Sequence, residues 1–553
     1  MAQQSYYNNG GEQQGYYGGP QQGGQYYQQQ QQQQQPYYPD QAYQQQGNNG
    51  GYYNGPPQMQ GGQQQYPQPT SAYQQQPPSA GIPPVKPEYP NGGEMFTPTK
   101  PKWNDIIFLI LFWAQFGAFV ALSVICLRAV GDSGGSIGGD SDGGLTLNLN
   151  TAYLLALIAA AGFVLSIVLL WIAKTFTKII LEICLLLSVA FSIGYAIYLW
   201  VEHYWSGAII FTILAVISII CYFPMRRRIP LSKLLLQFVF KIAGQHKSVY
   251  GIALLTTLLQ AMYSVWWGFT IVAVYQKYSP DSDNGCNTSG GTCGNGAVIC
   301  ACIFSVFSFY WTTQVIQNVS LTTIAGVFGS YYFSMPGERA VHAARSSFRR
   351  AMTYSFGSIA EGSLIVALLD LLKAGLTLLR QQEQQSGDVV GAAIACCAEC
   401  CIGCIRWLVD YFNRYAYIEI AMFGKSYIQA AKDAWHLLKD RGIDALVNDS
   451  LVNNIWLFGS YAVGALCSLF AYLYVHLEQP SYIQGNSNYT AVILFYAFIV
   501  GFQISHSLGY VALSSGVSTI FVALGEAPQA LAEKDPALFS HIAANYPKVM
   551  QPV

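Results

Sequence analysis

Ten stretches of this chain are each apolar over the about 20 residues that a helix needs to cross the hydrocarbon core of a bilayer. They run over 104–127, 151–173, 179–201, 204–223, 248–276, 297–325, 353–379, 389–411, 450–476 and 491–522. Lipid offers no water to unpaired backbone groups, so stretches of this length fold as helices. The predicted fold class is therefore all-α: a polytopic membrane protein with ten transmembrane helices. Composition agrees, with 52% hydrophobic and only 10% charged residues, against about 25% charged in soluble domains. Two spans are less apolar than the rest. Span 353–379 carries Glu361, Asp370 and Lys373, and span 389–411 is small and cysteine-rich. Both read as helices buried among other helices.

The chain divides into three regions. Residues 1–102 are dominated by Gln, Gly, Tyr, Asn and Pro, with tyrosine pairs such as Tyr6-Tyr7 and Tyr26-Tyr27 and unbroken glutamine from Gln28 to Gln35. With no apolar face to bury, this tail cannot offset the entropy of ordering and is expected to be disordered. It reads either as a self-associating or partner-binding segment or as a tolerated cytosolic extension. Residues 103–525 hold the ten spans, and 526–553 form a second cytosolic tail. The N-terminus lacks the pattern of a cleavable secretory signal, so targeting is expected from an internal span.

Orientation is set by the positive residues. If the N-terminal tail is cytosolic and every span crosses, 22 of the 27 Lys and Arg fall in inner segments. Both termini are then cytosolic. The Asn-x-Ser/Thr sites agree: Asn287 and Asn488 fall in outer loops, Asn318 within a span and Asn448 inside, so the first two are the N-glycosylation candidates. Cys286 and Cys293 share the outer loop with Asn287. They either form a disulfide on the oxidising side or remain two loop thiols. The formal net charge of −1 implies no nucleic-acid partner.

Two inner segments are apolar without counting as spans. Leu231–Gly244, which comes after Arg226-Arg227-Arg228, is expected to lie in the inner interface with Lys233 and Lys241 towards anionic membrane lipids. Ala416–Leu438, interrupted by Glu419, Lys425, Lys432 and Asp433, is expected as a helix packed under the bundle.

No P-loop, dinucleotide fingerprint, His-Glu-x-x-His or nucleophile elbow occurs, so the chain is not expected to be an enzyme, and no cofactor is implied. Cys396, Cys400 and Cys404 form one stripe on a helix. Adjacent thiolates in a dry bundle are costly, which favours small buried residues at a close helix approach, with acylation next and metal binding last. The mid-span aromatics Tyr263, Trp266, Trp267, Tyr310 and Trp311, with Gln314 nearby, lie away from the interfaces where aromatic belts belong. Two readings stand: a cage that holds a quaternary ammonium by cation–π attraction, or rings that fill gaps between helices. Glu361 is a candidate to attract the cation, and His506 a candidate for pH coupling. Lys373 and Asp370, three apart, can neutralise each other.

Longer patterns add a resemblance. Trp311-Thr312-Thr313-Gln314, Ile324-Ala325-Gly326, Tyr331-Tyr332-Phe333, Gly357 to Ser363, and Phe412-Asn413-Arg414-Tyr415-Ala416-Tyr417-Ile418 with Gly424-Lys425 and Ala431 to Ala434 are similar to the choline-transporter-like family of solute carriers. The Gln/Tyr-rich tail and short first outer loop resemble its fungal branch. The resemblance implies ten spans, a plasma-membrane location, and choline or a related small organic cation as substrate. The chain departs from choline-carrying relatives in residues 128–150, a Gly/Ser/Asp-rich connector where they have a large loop. The leading function is thus alternating-access transport of a small organic cation. A membrane-organising or lipid-handling protein without a transport cycle is the second reading.

Overall fold

Long helices joined by tight breaks make up the computed structural model, which describes residues 102–132, 149–203, 205–278, 295–334, 342–478 and 487–546. All of these belong to one compact unit, Val85–Val553. The helices are α1 (Ile106–Asp132), α2 (Leu149–Thr175), α3 (Thr177–Val201), α4 (Trp205–Gln245), α5 (Ser248–Tyr278), α6 (Asn295–Phe333), α7 (Ala343–Met352), α8 (Phe356–Ser386), α9 (Val389–Phe423), α10 (Tyr427–Glu478) and α11 (Ser487–His506). A π-helical segment, Ser507–Ser514, then leads into α12 (Ser515–Glu526), α13 (Pro528–Lys534) and α14 (Pro536–Asn545). Among the described residues there are ten helical stretches long and apolar enough to cross a membrane. Residues 1–101, the first outer loop, Cys286, Asn287, Cys293 and the side chain of Asn488 lie outside the described residues.

Local chemistry sets the breaks. α8 ends at Gly387, whose φ of 80° suits the left-handed turn that closes a helix. The next residue, Asp388, caps α9, accepting hydrogen bonds from the backbone N–H groups of Val390 and Gly391 at 3.0 Å. Gly424, with φ 65°, ends α9 in the same way. Three helix ends then meet at Asn104 and Asp105. Asn104 Nδ2 donates to the Gly424 carbonyl at 2.8 Å. The Asp105 carboxylate accepts from Ser358 Oγ at 2.5 Å and from the Tyr427 backbone N–H at 2.9 Å. That carboxylate sits at the N-terminus of α10, where an anion is favoured.

Two inner segments differ from the expectation. Leu231–Gly244 is not a separate helix; it continues α4 through Pro224 and Pro230. Outward residues of the first half of α4 are exposed (Ile220 64%, Phe223 63%), whereas Leu235, Leu236 and Val239 are fully buried. Its apolar residues surround the helix rather than forming one stripe, and that pattern belongs to a helix in a core. Lys241 faces Asp535 at 2.8 Å, and Arg228 pairs with Asp444. Ala416–Leu438 is likewise not one helix. It is split at Gly424 into the end of α9 and the start of α10, which runs unbroken to Glu478.

The largest buried cluster gathers at the end of the bundle where α4, α6, α9, α10 and α12 meet, around Phe328, Tyr332, Tyr415, Trp456 and Phe521. Elsewhere helices pack through small residues, as at Gly464 of α10, where an added Cβ would come 2.9 Å from the Phe498 carbonyl oxygen of α11. The tightest such place is Gly357, where a Cβ would lie 2.5 Å from the Asn104 oxygen and 2.7 Å from the Asp105 carbonyl carbon. Backbone atoms cannot swing aside as a side chain can. Gly357→Ala is therefore expected to destabilise the protein by about 1–3 kcal/mol, read as a lower melting temperature in detergent.

Candidate functional site

Polar side chains converge between α6, α8, α9, α10 and the π-helical segment. Along the α8–α9 seam, Arg380 Nε donates to Glu399 at 3.0 Å, and Arg406 donates to both oxygens of Asp370 at 2.5 and 3.3 Å. Asp370 thus takes Arg406 on the facing helix rather than Lys373 on its own. A guanidinium forks onto a carboxylate in a way that an ammonium cannot.

This ladder turns one stripe of α9 inwards. Trp407, Asp410, Tyr411, Arg414 and Tyr417 line a cavity of ≈ 140 Å³, together with Gln317 and Asn318 of α6, Asn453 of α10, and Tyr510 and Ser515. Trp407 and Tyr411 stack with planes 16° apart. The Arg414 guanidinium lies 4.7 Å over the Tyr510 ring and donates to Ser514 Oγ at 3.4 Å. Behind it, the buried Asp449 accepts from Tyr415 at 2.9 Å and Ser518 at 3.0 Å. Asp410 is different: among the described residues its carboxylate makes no hydrogen bond or ion pair, and it faces the cavity. The π-helical turn that carries Tyr510 is a rare feature, frequent at functional sites.

A wall one helical turn thick closes the cavity at one end. Asn318 Nδ2 donates to Ser363 Oγ at 2.9 Å and to Tyr417 Oη at 3.3 Å. Tyr427 Oη donates to Asn413 Oδ1 at 2.6 Å, and Asn413 Nδ2 to the Gly362 carbonyl at 3.1 Å. Burial, and then the charge of Glu361, push the Tyr427 phenol up to about 12. It therefore stays a donor at any physiological pH. Thr322 and Ile420, one turn beyond Asn318 and Tyr417, already line a second cavity.

The residues singled out in the sequence divide into two groups. Trp266 donates to Ser123 of α1 at 2.9 Å, Trp267 to the Ser305 carbonyl at 2.9 Å, Tyr263 to the Ser308 carbonyl at 3.2 Å and Trp311 to the Ala360 carbonyl at 3.0 Å. Their rings meet Phe112, Phe116, Phe119, Phe307 and Phe309 edge-on, tilted or stacked. These four tie α1, α5, α6 and α8 together and line no part of the polar cavity. Gln314 lies one turn before Gln317 and Asn318, and Tyr310 lies near Asp370. Glu361 stands behind the wall beside Tyr417 and Tyr427, with one buried oxygen that has no hydrogen-bond partner. His506 stacks on Tyr510 at 4.8 Å and so touches the cavity through that ring. The cysteine stripe is not buried as a whole: Cys396 is half-buried and Cys400 and Cys404 are exposed, and α9 meets α8 along Ala395, Glu399 and Arg406 instead. Among the described residues no group of three or more His, Cys, Asp or Glu side chains is placed to hold a metal ion.

Asp410, Tyr411, Trp407 and Tyr510 went unnoticed in the sequence. Their signal was present as the spacing 407, 410, 411, 414 on one helical face, but ending the eighth span at residue 411 cut through it.

Comparison with known proteins covers these same elements. A family model described as plasma-membrane choline transporter matches residues 209–529. Protein PNS1 of Mycosarcoma maydis is 47% identical over 472 residues, covering 85% of this chain and 88% of that protein. Protein PNS1 of Yarrowia lipolytica is 38% identical over 485 residues, 84% of each. That of Candida albicans is 37% identical over 470 residues, 84% of this chain and 90% of that protein.

The ladder yields a stability prediction. Asp370→Ala removes the salt-bridge partner of the Arg406 guanidinium and leaves it only the charge of Asp410 one turn away, and is expected to cost roughly 2–3 kcal/mol. Asp370→Ala with Arg406→Leu is expected to recover part of that loss. A double-mutant cycle of melting curves checks the coupling.

Proposed function

The chain belongs to the choline transporter-like family, and from that membership we propose that it is a solute carrier for a small organic cation of the choline type. It works by alternating access in the plasma membrane, with both termini cytosolic. The observation that carries the reading is Asp410: a carboxylate with no hydrogen bond or ion pair among the described residues, standing between the charges of Arg406 and Arg414 on the wall of a polar cavity, beside the stacked faces of Trp407 and Tyr411. Aromatic faces attract a quaternary ammonium without a matching hydrogen bond, and the carboxylate supplies the opposite charge. An ionisable group at membrane depth is expensive to keep and is a candidate marker of a solute or ion pathway. At ≈ 140 Å³ the cavity is below the about 300–1,000 Å³ of sites for drug-sized ligands, and suits a compact cation.

Alternating access needs a barrier that can be exchanged. The wall of Asn318, Ser363, Asn413, Tyr417 and Tyr427 is held by side-chain hydrogen bonds, which can re-pair without unwinding a helix. Glu361, unpartnered on one oxygen, lies where a cation crossing that wall would pass. His506 reaches the cavity through Tyr510 and is the candidate to make transport respond to pH.

The test is choline uptake into liposomes holding the purified protein. Asp410→Asn or Tyr411→Ala is expected to weaken apparent choline affinity by about tenfold or more. Trp311→Ala is expected to lower the melting temperature while leaving that affinity unchanged, since Trp311 is bound into helix packing. The reverse result, with affinity lost in Trp311→Ala and kept in Asp410→Asn, would move the site to the α1–α5–α6 aromatics. Folded protein that takes up no cation at all would favour the membrane-organising reading.

A further inference from the structure

Beyond the Tyr417 wall lies a cavity of ≈ 1300 Å³ whose rim is strongly basic. Lys102, His342, Arg345, Arg349, Arg350 and Lys425 line it, and no carboxylate among the described residues does. Lys425 is neutralised by Glu419 at 2.8 Å and Asp433 at 2.7 Å. Lys102, Arg345 and Arg349 have no acidic partner among the described residues. Arg345 and Arg349 are one turn apart on the ten-residue helix α7, a spacing at which like charges repel. The third arginine, Arg350, is held against the same wall by its hydrogen bond to Ser347 Oγ at 3.3 Å. Ser346, Ser347 and Ser355 add hydroxyl donors to the same wall.

We propose that this cavity is a binding site for a phosphate-bearing anion, and that its occupant is the headgroup of an anionic phospholipid. Arginine forks suit phosphate oxygens, and charge-assisted hydrogen bonds are the strong ones. Two further features favour a lipid over a soluble phosphate. α7 exposes Phe348 (48%) and Met352 (38%), one turn apart and next to the basic face, the pattern of a helix that sits in a membrane interface. The cavity is also far larger than an inorganic phosphate requires. α7 joins α6 to α8, which carry Asn318 and Ser363 of the wall, so an occupant here would brace the joint between them. If the carrier reading holds, it would also neutralise a basic rim that repels an organic cation.

The binding test involves no transport, so its failure and the failure of the carrier reading are separable. Full-length protein in neutral detergent is titrated with dioctanoyl phosphatidic acid, with dioctanoyl phosphatidylcholine, and with inorganic phosphate or inositol hexakisphosphate, and melting is followed. Phosphatidic acid is expected to raise the melting temperature, and phosphatidylcholine to leave it unchanged. The exposed double variant Arg345→Gln/Arg349→Gln is expected to weaken the phosphatidic acid response by about tenfold or more; Lys102→Gln serves if that variant does not fold. A response to the soluble phosphates alone, lost in the same variants, would support the anion site and assign it a soluble source. No response in the wild-type protein, or equal responses in wild type and variants, overturns the proposal.

Discussion

A charge between membrane helices has no water to fall back on, so each one must find a partner or bias the structure until it does. At the α8–α9 seam, Arg380 with Glu399 and Arg406 with Asp370 fix the rotation of α9 about its own axis. Once that rotation is set, Asp410, Tyr411, Arg414 and Tyr417 line the cavity, with the half-exposed Trp407 at its edge. Turning α9 by a third of a circle would unpair both bridges and move the cavity wall to the lipid side. The aromatic lining of the cavity therefore depends on salt bridges one to several turns away from it.

The two ends of the cavity are built differently. Around Arg414, the guanidinium is held by the Tyr510 face and Ser514, with Asp449 locked behind it by Tyr415 and Ser518. That end has its partners in place. At the other end, the wall rests on neutral amide, hydroxyl and phenol groups, such as Asn318 with Ser363 and Tyr417, and one buried Glu361 oxygen has no hydrogen-bond partner among the described residues.

Much of the fold was legible from hydropathy and local chemistry. The ten spans depend on residues within a few positions of each feature; the Gly424 stop is equally local, yet Ala416–Leu438 reads as one helix across it. Hydropathy misled where apolar sequence did not mean contact with lipid. Leu231–Gly244 looked interfacial because two lysines punctuate it, yet Lys241 is bound by Asp535, nearly three hundred residues away. The aromatics of α5 and α6 lie at mid-span, and their indole N–H groups are taken by Ser123, Ser305 and Ala360, partners that spacing along one helix cannot reveal.

By itself the sequence determined that the chain is a bundle of ten membrane-crossing helices, with its charges gathered on a few of them. It also held the polar stripe of α9, since Trp407, Asp410, Tyr411 and Arg414 recur at helical spacing whatever surrounds them. Only the tertiary structure decided that this stripe looks into a cavity shared with Gln317, Asn453 and Tyr510, and that Trp311 does not. The reason is physical. In water an apolar stripe marks the inward face of a helix, but lipid is as apolar as a protein core, so a membrane helix carries the same hydropathy on both sides. Its rotation is set by partners on other helices, and these are known only once the chain has folded.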